Sequence, residues 1–228
     1  MRAIACSRAV WTIGVAMALA SCAGQATPPP TAPRGQVRYL SIGDSFTQGV
    51  GARVESKAFP AQLADAWRTR GCDVELSNVG HSGFTSAQVL LQEVPKINAF
   101  RPTLITFQVG TNDIVKGVGI DDYRRNVATV FDAATTSGAR VVVIPQPEWF
   151  RSPVGKDLRD GKGTERNAYD EVMIEEAKIH GAEFVDLRPL FSGQADKQMW
   201  SDDGLHPNAT AYAEWANELV DALPTPCK

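Results

Sequence analysis

Histidine is the scarcest of the reactive residue types in this chain: three in 228 residues, at His81, His180 and His206. Cysteine is nearly as scarce, with four, and no cysteine–histidine spacing fits a structural metal site. The basic residues never gather into a block and the formal net charge is −3, which argues against a nucleic-acid partner. Long hydrophobic runs are missing as well. The most apolar stretch near the N-terminus, Ala9 to Ala20, has about 12 residues, short of the roughly 20 that a membrane-spanning helix needs. No internal repeat divides the chain, and no composition shift marks a second folded domain.

What is present suffices for one α/β domain. The apolar fraction of 43% and charged fraction of 21% are ordinary for a protein with a real core. Arg2 and Arg8 ahead of the Ala9–Ala20 run give the layout of a secretory signal peptide. The run ends Leu19-Ala20-Ser21-Cys22, which resembles the lipobox of bacterial lipoproteins. That resemblance implies a lipid on Cys22 and a cell-envelope or cell-membrane location; an ordinary secreted chain is the alternative. Residues 1–21 are thus expected to be a signal peptide, 22–36 a Pro/Thr/Gly-rich tether, and 37–228 the folded domain. Cys6 leaves with the signal, so Cys72 and Cys227 remain in a disulfide-permissive compartment, either bridged or as free thiols.

Along the domain, strands and helices alternate. Val37 to Ile42 reads as a strand ending in Gly43-Asp44-Ser45, and Phe59 to Arg70 has a helical period of apolar residues closed by Gly71. Cys72 to Ser77 is a second strand that runs into a polar segment from Asn78 to Thr85. A helical stretch through Val89, Val94 and Ile97 is expected to kink or split at Pro95. Pro102 to Val109 reads as a doubly buried strand ending in Gly110-Thr111-Asn112-Asp113. Asp121 to Ser137 is a long helix, Arg140 to Ile144 a strand, Arg151 to Arg166 a charged mobile loop, and Ala168 to His180 a helix. A short strand at Glu183 to Leu187 and an amphipathic helix from Ala209 to Leu223 complete the chain. Five β-α units predict a parallel sheet with helices on both faces.

In such a sheet consecutive strands end on one side, so the three polar strand ends converge. A fourth motif, Asp203-Gly204-Leu205-His206, precedes the last helix, with carboxylate and imidazole three residues apart. Together, Gly43-Asp44-Ser45, Gly83, Gly110-Thr111-Asn112-Asp113 and Asp203-Gly204-Leu205-His206 resemble, in order, the four blocks of the SGNH, or GDSL-type, esterase and lipase family. The resemblance runs from about Arg38 to Leu223 and implies a three-layer, flavodoxin-like α/β/α sandwich on a five-stranded parallel sheet. It also implies a catalytic triad of Ser45 as nucleophile, His206 as general base and acid, and Asp203 orienting His206. The family's oxyanion hole would be the Ser45 and Gly83 backbone N–H groups and the Asn112 side-chain amide. The expected activity is hydrolysis of carboxylic esters, chiefly short-chain acyl or acetyl esters, by a monomer without cofactor.

Other readings stay open on the residues alone. Acyl transfer, or thioester or lysophospholipid hydrolysis, would use the same groups; a non-catalytic anion-binding lipoprotein would leave Asn112, Asp203 and His206 without a role. Asp44 and Asp113 are expected to hold their turns, His81 to be a partly exposed loop residue, His180 to end a helix, and Asn208 to start the last one. Trp149, Phe150 and Trp200 are candidates for a small acyl pocket, with core packing the alternative.

Overall fold

A computed structural model describes residues 36–158 and 165–227 of the chain. The expected signal peptide, Cys22 and all but the last residue of the tether lie outside the described residues. Strand β1 (Gln36–Gly43) leads through one helical turn, α1 (Ser45–Gln48), to α2 (Phe59–Thr69) and β2 (Asp73–Asn78). Next come α3 (Ser86–Gln92), α4 (Val94–Phe100), β3 (Leu104–Gln108), α5 (Thr111–Lys116), α6 (Ile120–Thr136) and β4 (Arg140–Val143). The chain closes with α7 (Gly155–Leu158), α8 (Glu165–Ile179), β5 (Glu183–Phe184), α9 (Arg188–Asp196) and α10 (Ala209–Ala222).

The five strands are all parallel, in the order β2-β1-β3-β4-β5. Strand order therefore reverses between β1 and β3, and in open sheets the crevice beyond such a switch point is where ligands bind. Every residue of β3 is buried, as its mostly apolar run predicts, whereas edge strand β2 alternates at its start. Gln36 already pairs with Asp73, so the strand begins one residue earlier than the expected domain boundary.

Helix α2 buries Phe59, Leu63 and Trp67 at helical spacing; Trp67 stands edge-on to Tyr39 of β1, with ring centroids 5.5 Å apart. Helix α10 packs beside α2 through Trp215, which touches Phe59 and Phe191. On the other face α6 buries Tyr123, Val127, Val130 and Phe131, the last against Phe107 of β3. Full burial of each such aliphatic or phenyl side chain contributes about 1.5–3 kcal/mol before conformational entropy is counted. Cys72 and Cys227 form a disulfide that ties the C-terminal tail to the residue before β2.

The helix expected around Pro95 does split. Its ring cannot accept the carbonyl four residues back, so α3 ends at Gln92 and Pro95 enters α4 near its start, where a missing N–H costs nothing. The stretch from Arg151 to Arg166 departs from the expected loop. Gly155–Leu158 is helical, and Arg151 is anchored by ion pairs to Glu148 and Asp196. Arg166 lies buried in α8, where Nε approaches Asp170 Oδ2 at 2.9 Å, with side chains 5% and 2% exposed. Charge alone suggested exposure there; an internal ion pair supplied the burial instead. The strand from Glu183 is only two residues long, and α9, with Pro189 and Gly193 inside it, breaks the composition expected of a helix.

Candidate active site

Ser45 is the first residue of α1, at the C-terminal end of β1, and is 6% exposed. Asp44 caps that turn: its Oδ1 accepts the Phe46 N–H at 3.0 Å, so the residue before the serine holds the turn, as expected. Burial is the main cause that pushes the Asp44 carboxyl up, to about 8. As the first helical residue, Ser45 has a backbone N–H with no acceptor inside the helix.

The serine hydroxyl lies 2.9 Å from His206 Nε2, and His206 Nδ1 lies 2.8 Å from Asp203 Oδ2. The other oxygen of Asp203 accepts the backbone N–H groups of Leu205 at 2.8 Å and His206 at 2.9 Å, which folds the four-residue motif into a tight turn. Partial burial works against the charge on Asp203. The N–H groups of His206 and Leu205, with His206 Nδ1 and Ser201, outweigh it and hold the carboxyl down at about 2. An ionised carboxylate on Nδ1 fixes the tautomer that leaves Nε2 free to accept the serine proton. Behind the imidazole, the Phe46 ring packs at 5.3 Å, and Trp200 forms an isolated antiparallel bridge with Pro207.

Gly83 and Asn112 come together through Phe84: Asn112 Nδ2 donates to the Phe84 carbonyl at 3.0 Å, leaving its second N–H free to serve a ligand. Gly83 sits at φ +82, with open space where a Cβ would be. The loop that carries it is fastened to the nucleophile turn. Asn78 Nδ2 donates to the Thr47 carbonyl, and Gln48 Oε1 accepts the Ser82 N–H at 2.8 Å. Asp113 fastens the other side, accepting both the N–H and the hydroxyl of Ser86 at the start of α3. The three candidate oxyanion donors are thus carried on elements bonded to one another.

The remaining candidates fall elsewhere. His81 is exposed and stacked on Phe84 at 4.2 Å; its side chain bonds the neighbouring Ser82 carbonyl through Nδ1, and its backbone N–H donates to the Gly43 carbonyl. His180 follows α8 and faces Asp132. Asn208 caps α10, accepting the Ala211 N–H at 2.9 Å. Trp149 is fully buried and belongs to the core, so it offers no surface to a substrate. Phe150 is half-buried against the same core, and the half-buried Trp200 backs the His206 loop.

Two contributions escaped the sequence. Pro153 and Val154 pack on Gly204, with the Val154 N–H bonded to the Gly204 carbonyl at 2.9 Å, and Val154 is 40% exposed beside the Asp203 turn. Gly51, at φ +91, faces His206 and Pro207. It also lines a cavity of about 420 Å³ with Gln48, Arg53, Glu55 and Asn78, one helical turn beyond the serine. Among the described residues no group of histidine, cysteine and carboxylate side chains could hold a metal ion.

Comparison with known proteins agrees with this geometry. Residues 41–214 match the GDSL-like lipase/acylhydrolase family. The chain is 29% identical over 186 residues to an arylesterase of Vibrio mimicus, covering 80% of this chain and 86% of that one. It is 28% identical over 192 residues to the esterase TesA of Pseudomonas aeruginosa, covering 82% and 86%. The fold matches that of Axe2, an acetylxylan esterase from Geobacillus stearothermophilus, with a TM-score of 0.67 at 17% identity, over 81% of this chain and 93% of that one. With four sequence blocks meeting at one sheet edge and a matching family over most of its length, the chain belongs to the GDSL-like lipase/acylhydrolase family and is a carboxylic ester hydrolase.

Proposed function

We propose that the protein hydrolyses short-chain or acetyl esters through an acyl-enzyme on Ser45. The observation that carries this reading is the unbroken chain from Ser45 Oγ to His206 Nε2 and from His206 Nδ1 to Asp203, at 2.9 and 2.8 Å. Ser45 Oγ attacks the acyl carbon while His206 Nε2 takes its proton. The carbonyl oxygen becomes an oxyanion, held by the Ser45 and Gly83 N–H groups and Asn112 Nδ2. Collapse of the tetrahedral intermediate expels the alkoxide, which His206 protonates. A water then attacks the acyl-enzyme, giving its proton to His206, and the second collapse returns that proton to Ser45 and releases the carboxylic acid.

The limited apolar surface beside the triad supports a small acyl group: Val154 and the partly buried Leu205 supply only a short apolar wall, and the buried Trp149 supplies none. The acetylxylan esterase activity named for a neighbour of the same fold is in keeping with such a site. A panel of p-nitrophenyl esters tests the reading. kcat/KM should rise from acetyl to butyryl or hexanoyl, at no more than about 0.8 kcal/mol per methylene, and then level. A steady rise through palmitoyl esters contradicts it.

We also propose export and anchoring through a lipid on Cys22. The Cys72–Cys227 disulfide supports an oxidising compartment. Cys22→Ala should move the protein from the membrane fraction to the soluble one with specific activity intact; retention in the membrane contradicts the anchor.

A further inference from the structure

Around Gly43 lies a group of buried oxygens that the chemistry at Ser45 does not use. The Gly43 N–H, the last of β1, donates to the side chain of Glu93, with Oε2 at 2.7 Å. Glu93 is 2% exposed and stands at the break between α3 and α4. Its other oxygen, Oε1, has no hydrogen-bond partner, and neither have Asp44 Oδ2, Thr47 Oγ1 and Gln108 Oε1. All belong to the surroundings of Gly43. Asp44 follows it and Gln108 is its register partner on β3. A Cβ at Gly43 would stand 2.4 Å from Thr47 Oγ1 and 2.1 Å from the Gln108 carbonyl oxygen. With φ +151 as well, position 43 admits only glycine, so the polar groups cannot be screened by a side chain there.

The count of hydrogens decides the protonation state. With both carboxyls ionised, three of the four oxygens would be acceptors only, and the Thr47 hydroxyl, the one hydrogen among them, bonds to none of them. Two buried carboxylates would also face each other's charge, which protonation of one relieves. The charges acting on the pair are acidic: Asp44 acts on Glu93, Glu93's own helix break brings no cation to it, and Asp113 acts on Asp44. Lys116 acts on Asp113, and the phenols of Tyr123 and Tyr212 feel Asp44. Burial, resisted by the Gly43 N–H, pushes Glu93 up to about 9.

We propose that Glu93 is a positioning residue for the nucleophile: as a neutral carboxylic acid it accepts the Gly43 N–H on Oε2 and supplies from Oε1 the hydrogen the neighbouring oxygens lack, fixing the turn that presents Ser45. The proposal rests on Ser45 being the nucleophile. Glu93 does not touch substrate; it acts through the backbone two residues ahead of the serine.

Two variants and two readouts test it. Glu93→Gln keeps one acceptor and one donor and cannot ionise, so it should hydrolyse p-nitrophenyl acetate at pH 7 within about twofold of wild type. Glu93→Ala leaves the Gly43 N–H buried and unpaired, and should lose roughly tenfold or more in kcat with KM little changed, as for a small misplacement of a reacting group. The second readout is the melting temperature of Glu93→Gln minus that of wild type. A carboxyl raised from 4.5 when unfolded to about 9 when folded loses its stabilising contribution as pH climbs through that window, and an amide does not. The difference should therefore widen in favour of the amide between those two pH values; the repulsion between Asp44 and Glu93, present only in wild type, acts in the same direction. Glu93→Gln as impaired as Glu93→Ala, full activity in Glu93→Ala, or a melting difference independent of pH would each overturn the proposal. If Glu93→Ala does not fold, the amide variant and its melting curve decide alone. Ester hydrolysis that survives Ser45→Ala while the melting difference widens would instead remove the reading of Ser45.

Discussion

Gly51 lies directly against His206: a Cβ at position 51 would stand 3.0 Å from His206 Cβ and 2.5 Å from the Pro207 carbonyl oxygen. The two are 155 residues apart in sequence. Gly51→Ala meets both a φ of +91 and that backbone oxygen. It should destabilise the fold by about 1–3 kcal/mol and lower kcat by roughly a hundredfold through displacement of His206. Thermal melts and active-site-normalised kcat check this. Wild-type kcat in Gly51→Ala would mean that the loop yields without moving the histidine.

Asn112 donates one side-chain N–H to the Phe84 carbonyl, and its second is the proposed oxyanion donor. Asn112→Ala should lower kcat by about 10²–10³ with KM little altered, the signature of a donor used in the transition state. Phosphonate labelling of Ser45 should slow in parallel, since the adduct also places an oxygen in the hole. Unchanged kcat would take Asn112 out of the oxyanion hole.

The sequence revealed the four motif blocks because parallel topology brings all strand ends to one edge. The roles of Ser45, Asp203 and His206 came from the resemblance of those blocks, in order, to the family. Pro95 likewise announced the split helix. Position 51 was legible as a glycine but not as a contact of His206, since loop closure between distant segments leaves no periodic trace. Arg166 was misread as loop because its partner, Asp170, makes burial tolerable only once the helix has formed. Trp149 was ambiguous from composition, an aromatic at a strand end being equally suited to core and pocket. Glu93 gave no signal at all: its value lies in a backbone N–H 50 residues earlier.

Asp203, held down at about 2 by its N–H partners and by His206, stays ionised through ordinary assay conditions. Its folded value lies below the unfolded 3.8, so its stabilising effect is complete above that pH and fades as pH falls toward 2. A loss of activity on the acid side above about pH 4 therefore does not come from protonation of Asp203. The pH dependence of kcat/KM should keep its acid limb in His81→Ala. A profile flat down to pH 4.5 contradicts a histidine base.

The Arg166–Asp170 pair tests the body of the fold rather than the chemistry. Its charged atoms approach to 2.9 Å, yet Arg166 Nε and Asp170 Oδ2 lack hydrogen-bond alignment. Burial, opposed by Arg166, still leaves the Asp170 carboxyl raised at about 6. Asp170→Ala strands a buried guanidinium and should cost about 3–5 kcal/mol in denaturant melts. Wild-type stability from pH 4 to pH 6 should fall slightly as Asp170 ionises, since its folded value lies above its unfolded one. A change below about 1 kcal/mol in Asp170→Ala would show that solvent reaches the pair.

The most direct test of the account is to catch the acyl group on the serine. The enzyme is mixed with excess p-nitrophenyl butyrate, quenched in acid within the first turnovers, and read by intact mass and peptide mapping. One butyryl adduct should appear on the peptide carrying Ser45 and vanish in Ser45→Ala along with ester hydrolysis. A butyryl group on any other residue, or hydrolysis undiminished in Ser45→Ala, would contradict the mechanism built on Ser45, His206 and Asp203.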